Sequence, residues 1–183
     1  MSLTDVSSRK PVLKARFGSV SKNTWVIGGA LTVYTVLSVL ILINANVVPR
    51  FRIDLTPLLT ATTAIQVHVV AAVMTLGIGI FLMCAPKGFR MHKTFGWAWV
   101  MSMALTAGSS FLITGIFQSS YSPIHALSAW TMIGLPFGIA AVKRRDIKKH
   151  RKTMTDMFVG GMVIAGLFSL LPGRMLFHVF FAT

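Results

Sequence analysis

The sequence predicts an all-α membrane protein, a bundle of five transmembrane helices, and three observations carry this prediction. The chain is 54% hydrophobic and 12% charged, whereas a soluble domain carries roughly a quarter charged residues. Its apolar residues come in long runs, and a run of about 20 residues is enough for a helix to cross the roughly 30 Å bilayer core. Five runs approach that length, at about 24–46, 62–85, 95–117, 124–142 and 154–172.

Basic residues are concentrated on one side of the predicted bundle. Residues 1–23 hold five Lys or Arg, residues 86–94 hold three and residues 143–153 hold seven, whereas the opposite side holds three. Because basic residues collect on the cytoplasmic side, we expect the N-terminus inside and the C-terminus outside, in the inner (plasma) membrane of a bacterium. The net charge of +14 then reflects topology and contact with lipid headgroups, and it does not indicate a nucleic-acid partner.

The chain has room for one domain. We expect a basic cytoplasmic tail over residues 1–23, followed by a five-helix transmembrane domain over residues 24–183. Small residues in the spans, among them Gly77 and Gly79, predict close helix packing. Cys84 is the only cysteine, which excludes an intrachain disulfide. The sequence has no Gly-rich phosphate loop, no HExxH motif and no carboxylate pair, so it predicts no catalytic residue.

The five histidines occupy regular positions relative to the spans. His68 and His125 lie near the outer starts of spans two and four, His92 and His150 precede spans three and five on the inner side, and His178 follows the last span. Each of the two pairs therefore shares one depth and comes from alternate helices, which face one another across a bundle. Two histidines across a bundle core are the arrangement of bis-imidazole haem ligation. The sequence thus predicts up to two b-type haems, held by His68 with His125 and by His92 with His150.

A second interpretation of the histidines stays open. Histidine is amphipathic and suits the membrane interface, and His92 and His150 lie in basic segments where a solvated side chain is expected. His68 and His125 are the stronger candidate pair because they lie nearer the membrane interior, and His178 is interpreted as interfacial. The basic residues that suit haem propionates are Arg90, Lys93, Arg144, Arg145 and Arg151 inside, with Arg50 and Arg52 outside.

Four motifs carry a resemblance to a known family. They read HVVAAVMTLGIGIF, MHKTFGWAWV, PIHALSAW and DIKKHRKTM. Over about residues 62–160 the chain resembles a broad bacterial family of predicted membrane proteins with a domain of unknown function, in which an H-[RK]-x-x-G element precedes one span. This resemblance implies a multi-span membrane protein and no established activity.

A more distant likeness is to the cytochrome b561 type of transmembrane electron carriers. Proteins of that type place haem-ligating histidines on four consecutive helices and pair them in alternation. The likeness implies one haem between His68 and His125 and a second between His92 and His150. This chain departs from the type, since it has five predicted spans rather than six and no obvious electron-donor motif.

Two functions follow from these observations. The first is a b-type haem protein that transfers electrons, with a quinol, a small reductant or another redox protein as its partner. The second is a cofactor-free accessory subunit or lipid-binding scaffold, packed against a larger respiratory or photosynthetic membrane complex. A transporter is disfavoured because the spans contain almost no ionisable residues. Whether the protein is an enzyme is left open by the sequence.

Overall fold

The structure is a computed structural model that describes residues 22–88, 90–113 and 123–182. The tail predicted at 1–23 lies outside the described residues except for its last two, and so do residues 114–122, which include the end of predicted span three.

The described chain is mostly helical, as predicted. The helices are α1 (Lys22–Ala45), α2 (Thr56–Leu59), α3 (Thr63–Cys84), α4 (Arg90–Ser110), α5 (Pro123–Lys143), α6 (Ile147–Met157), the π-helix (Phe158–Ile164), α7 (Ala165–Ser169) and α8 (Met175–Phe180). Because α6, the π-helix and α7 follow one another without a break, we call them together the composite helix.

Three of these helices are long and apolar enough to cross a membrane. Within the described residues they are Thr24–Ala45, Thr63–Cys84 and His125–Lys143. The two other predicted spans, 95–117 and 154–172, are not among these three helices, and the reasons lie in their sequences and lengths. α4 begins with charged residues and carries several serines and threonines, and part of its predicted apolar end lies outside the described residues. The composite helix consists of segments of 11, 7 and 5 residues, the first of them strongly basic.

Two helices begin earlier than the sequence predicted. Span three was expected from residue 95, but α4 begins at Arg90. Span five was expected from residue 154, but α6 begins at Ile147, where the carboxylate of Asp146 accepts a hydrogen bond from the Lys149 amide at 3.0 Å. An acidic N-cap satisfies a free amide and so fixes a helix start. His92 and His150 therefore lie in the first turns of helices rather than in the loops that precede them.

Four helical units pack into a ring. α3 packs on α4, α4 on α5, α5 on α6, and the π-helix returns to α3. α3 is therefore diagonally opposite α5, and α4 is diagonally opposite the composite helix. α1 lies outside the ring and contacts the π-helix and α7, where the Tyr34 hydroxyl donates to the Leu170 carbonyl oxygen at 3.3 Å.

Large side chains fill the centre of the ring. The buried cluster consists of Leu82, Trp99, Met103, Leu135, Met157, Phe158 and Met162. Glycines allow the helices to approach there, as predicted for Gly79, which lies against the Phe158 ring and the Trp99 indole. Gly77 plays no such part, since no atom of another described helix lies within 4 Å of where its Cβ would be.

A short extended pairing lies beside the helices. β1 (Arg50–Phe51) and β2 (Phe181–Ala182) pair antiparallel, a small departure from the all-α prediction. The Asp54 amide donates to the Val179 carbonyl oxygen at 2.8 Å, which ties the first long connection to the end of the chain. Hydrogen bonds from Thr56 hold the pKa of the Asp54 carboxyl below its usual range.

Candidate functional site

His68 is held by α4 in a defined tautomer. It lies half-buried in the second turn of α3, and its Nδ1 is 2.9 Å from the Thr106 carbonyl oxygen. A carbonyl oxygen only accepts, so Nδ1 carries the proton and donates it. The Ser109 hydroxyl, 3.2 Å from the same nitrogen, donates to the same carbonyl at 3.0 Å. In the neutral ring the lone pair is therefore on Nε2, the nitrogen free to act as a ligand.

His125, the predicted partner of His68, lies in the first turn of α5. Its ring packs against the Phe111 ring, with centroids 5.9 Å apart and planes at 52°. α3 and α5 are diagonal in the ring of helices, as the sequence predicted for this pair. Both histidines contact the last turns of α4 or the residues just after it, His68 through Thr106 and Ser109 and His125 through Phe111.

His150 repeats the arrangement of His68 at the other end of the bundle. Its ring is half-buried in the first turn of α6, and its Nδ1 lies 2.8 Å from the Gly138 carbonyl oxygen in α5. By the same argument Nδ1 donates and Nε2 holds the lone pair. Glycine at position 138 also lets α6 approach closely, because a Cβ there would collide with the Met154 side chain.

His92, the predicted partner of His150, lies near the start of α4. It is half-buried in the first turn of α4, before the apolar part of that helix, and its Nδ1 is buried with no hydrogen-bond partner among the described residues. Burial lowers the pKa of the His92 imidazole, and the electrostatic influence of His150 and Lys87 lowers it further. α4 and the composite helix lie diagonally opposite, as predicted for this pair, and the lowered pKa of His92 favours a neutral ring at pH 7.

His178 belongs to neither pair. It lies exposed on α8, with its ring edge-on to Phe177 at a centroid distance of 6.0 Å. In the described part of the chain no group of three or more His, Cys, Asp or Glu is placed to hold a metal ion. Axial ligation of a haem needs only two imidazoles, so the two predicted pairs remain the candidates.

A set of buried hydroxyl groups was missed by the sequence reasoning. The Thr75 and Thr106 hydroxyls are 3.5 Å apart, and the Ser110 and Ser128 hydroxyls share a short hydrogen bond. These contacts join α3 to α4 and α4 to α5 in the half of the bundle that holds His68. The sequence of α4 contains a pattern that could have predicted them, because its serines and threonines recur at helical spacing on one face. The buried members are Thr75, Ser102, Thr106, Ser109, Ser110, Ser128 and Thr131.

Comparison with known proteins identifies the family. The DUF2306 family, described as predicted membrane protein, matches residues 65–182. The chain belongs to the DUF2306 family. The matched region of this DUF2306 protein contains all four candidate ligands as well as the ring of helices. No curated protein and no solved structure matches the chain. The likeness to the cytochrome b561 type gains no support from these comparisons, so the haem hypothesis rests on the histidines of this chain.

Proposed function

We propose that this DUF2306 protein is a b-type haem protein of the bacterial inner membrane that transfers electrons. The observation that carries the proposal is the pair of hydrogen bonds from His68 Nδ1 to Thr106 O and from His150 Nδ1 to Gly138 O. A ligating histidine usually donates its second ring N–H to a carbonyl or carboxylate, which fixes its orientation and makes the other nitrogen a better ligand. His68 and His150, at opposite ends of the bundle, are two such histidines.

The residues present fit a bis-imidazole ligand set. His92, whose buried Nδ1 has no hydrogen-bond partner among the described residues, would hold one haem together with His150, and His68 would hold a second together with His125. The basic residues at the inner end, Arg144 and Arg145 among them, would pair with the propionates. A haem bound in this way supplies one-electron oxidation and reduction. The protein's own part is to orient the imidazoles, exclude water and surround the site with positive charge.

The proposal includes the topology and the partners. Five spans with the N-terminus inside are supported by the distribution of Lys and Arg, because seven of these residues lie in segment 143–153 and three in 86–94. The electron donor or acceptor is a quinol or another redox protein. Reporter fusions after Gly88 and Lys148 should give a cytoplasmic signal, and fusions after Arg52 and Tyr121 an external one. An inside signal at Tyr121 would contradict the five-span topology.

Glutamine variants test the ligands one at a time. His150→Gln and His92→Gln keep a polar group of comparable bulk but remove the imidazole, so each should remove the same low-spin component from the reduced absorption spectrum. His68→Gln and His125→Gln should both remove the other component. Lys148→Gln is the matched control, because it changes an exposed side chain of α6 without removing a candidate ligand. A spectrum that survives both inner substitutions would restrict the proposal to the outer pair.

A second candidate is a cofactor-free accessory subunit or lipid-binding scaffold. It is favoured by α1, whose apolar side chains face away from the bundle; Trp25 is 72% exposed and Ile43 70%. Such a helix suits a partner membrane protein as well as lipid. If the purified chain is colourless and co-purifies with a larger membrane complex, this candidate replaces the haem protein.

A further inference from the structure

A cavity opens between the end of α3 and the start of α4. Its volume is about 840 Å³, within the roughly 300–1,000 Å³ of small-molecule sites. The Phe81 ring, on the wall of this cavity, packs against the Phe95 ring with centroids 4.8 Å apart, which fixes that part of the wall. The lining residues are Phe81, Cys84, Ala85, Pro86, Arg90 and Met91.

The cavity lining combines an apolar wall with one cation. Among the described residues that line the cavity, Arg90 alone is charged. The ion pairs of the described residues are Arg52 with Asp54 and Lys152 with Asp156, so Arg90 has no carboxylate partner among them. The neighbouring Lys87 donates instead to the Met83 carbonyl oxygen at 2.8 Å. The guanidinium of Arg90 is therefore available for an anion at the edge of an apolar groove.

We propose that this cavity binds an anionic glycerophospholipid. The phosphate accepts hydrogen bonds from the Arg90 guanidinium, which suits it because the planar fork donates two parallel N–H groups. An acyl chain lies along Phe81, Cys84 and Ala85. The groove opens at the basic end of the bundle, where segments 86–94 and 143–153 attract anionic headgroups. The proposal is independent of haem binding.

The chemistry of the groove favours a lipid over a soluble anion. A free phosphate would meet only one cation and would gain nothing from the apolar wall. A lipid adds the burial of acyl CH₂ groups, about 0.8 kcal/mol each when fully removed from water.

The single cysteine provides the test. Cys84 is exposed and lines the cavity, so a lipid in the groove shields its thiol. The full chain in an uncharged detergent is titrated with phosphatidylglycerol or phosphatidylcholine, and the rate of Cys84 alkylation by N-ethylmaleimide is measured. Because the rate follows the unoccupied fraction, phosphatidylglycerol at about nine times its Kd should slow it about tenfold. Phosphatidylcholine should slow it much less.

Variants separate the site from the general charge of this face. Arg90→Gln should lose the difference between the two lipids. Lys148→Gln removes an exposed charge from the same face but lies outside the cavity, so it should behave as the wild type does. Taking the ratio of rates in the two lipids cancels any direct effect of a substitution on the thiol.

Three results would overturn the proposal. They are equal protection by both lipids in the wild type, undiminished protection by phosphatidylglycerol in Arg90→Gln, and equal protection by inorganic phosphate alone. The last result would assign the site to a soluble anion.

Discussion

Gly79→Ala tests the packing of the four-helix ring most sharply. A Cβ at position 79 would collide with the Phe158 ring and lie 2.9 Å from Trp99 Nε1. Both neighbours are buried, Trp99 at 4% exposed and Phe158 at 9%, so neither ring has open space to rotate into. The added methyl group must push α3 away from α4 and the π-helix.

The magnitude follows from two opposing effects. Overpacking a tight core costs about 1–3 kcal/mol, whereas replacing a helical glycine by alanine stabilises by roughly 0.5–1 kcal/mol. Gly77→Ala is the matched control, because it lies on the same helix and no atom of another described helix lies within 4 Å of the new Cβ. The helix effect is the same in both variants, so Gly79→Ala should be less stable than Gly77→Ala by about 1–3 kcal/mol.

The assay is reversible unfolding in mixed micelles by SDS titration, followed by circular dichroism. Gly77→Ala should unfold at or above the wild-type SDS fraction, and Gly79→Ala below it. If Gly79→Ala is as stable as Gly77→Ala, α3, α4 and the π-helix do not pack as described.

The remaining predictions concern single contacts of the fold. Asp146→Ala removes the N-cap of α6 and should lower the free energy of unfolding by about 1 kcal/mol; an unchanged value would contradict the helix start at Ile147. A double-mutant cycle of Ser110→Ala and Ser128→Ala should give a coupling energy of about 0.6 kcal/mol, and additive effects would show that the two hydroxyls do not interact. The lowered pKa of His92 means that the folded state disfavours the protonated imidazole. The stability that the neutral ring contributes is therefore present above its ordinary pKa of 6.5 and is lost as the pH falls below that value. Melting temperatures at pH 8 and pH 5 should therefore differ less in His92→Gln than in the wild type, and an equal difference would refute the burial of this ring.

The all-α class of the fold was predictable because a helix that crosses a membrane needs a long run of apolar residues, and such runs are visible in the sequence. Long apolar runs with few charges leave helices as the way to satisfy the backbone in lipid, and the described chain is mostly helical. The alternation of His68, His92 and His125 along successive helices also predicted which helices lie diagonally opposite. Both inferences depend only on periodicity and connectivity, which a sequence contains.

The details of the site depend on packing that periodicity does not reveal. No pattern indicated that Thr106 O and Gly138 O would accept from imidazoles, since backbone acceptors carry no signature in the side chains. The starts of α4 and α6 were placed too late because hydropathy marks where the apolar run begins, whereas Asp146 begins its helix earlier by capping it. The short β1–β2 pairing joins segments far apart in sequence, and two residues in each strand are too few for a recognisable pattern.

The haem content of the purified wild-type chain tests the central claim most directly. The protein is expressed with an adequate supply of haem and purified in detergent, and its spectrum is recorded oxidised and then reduced with dithionite, alongside the haem-to-protein ratio. Bis-imidazole ligation predicts a low-spin spectrum that sharpens on reduction, with one or two haems per chain. A colourless protein under these conditions would contradict haem binding by His68, His92, His125 and His150.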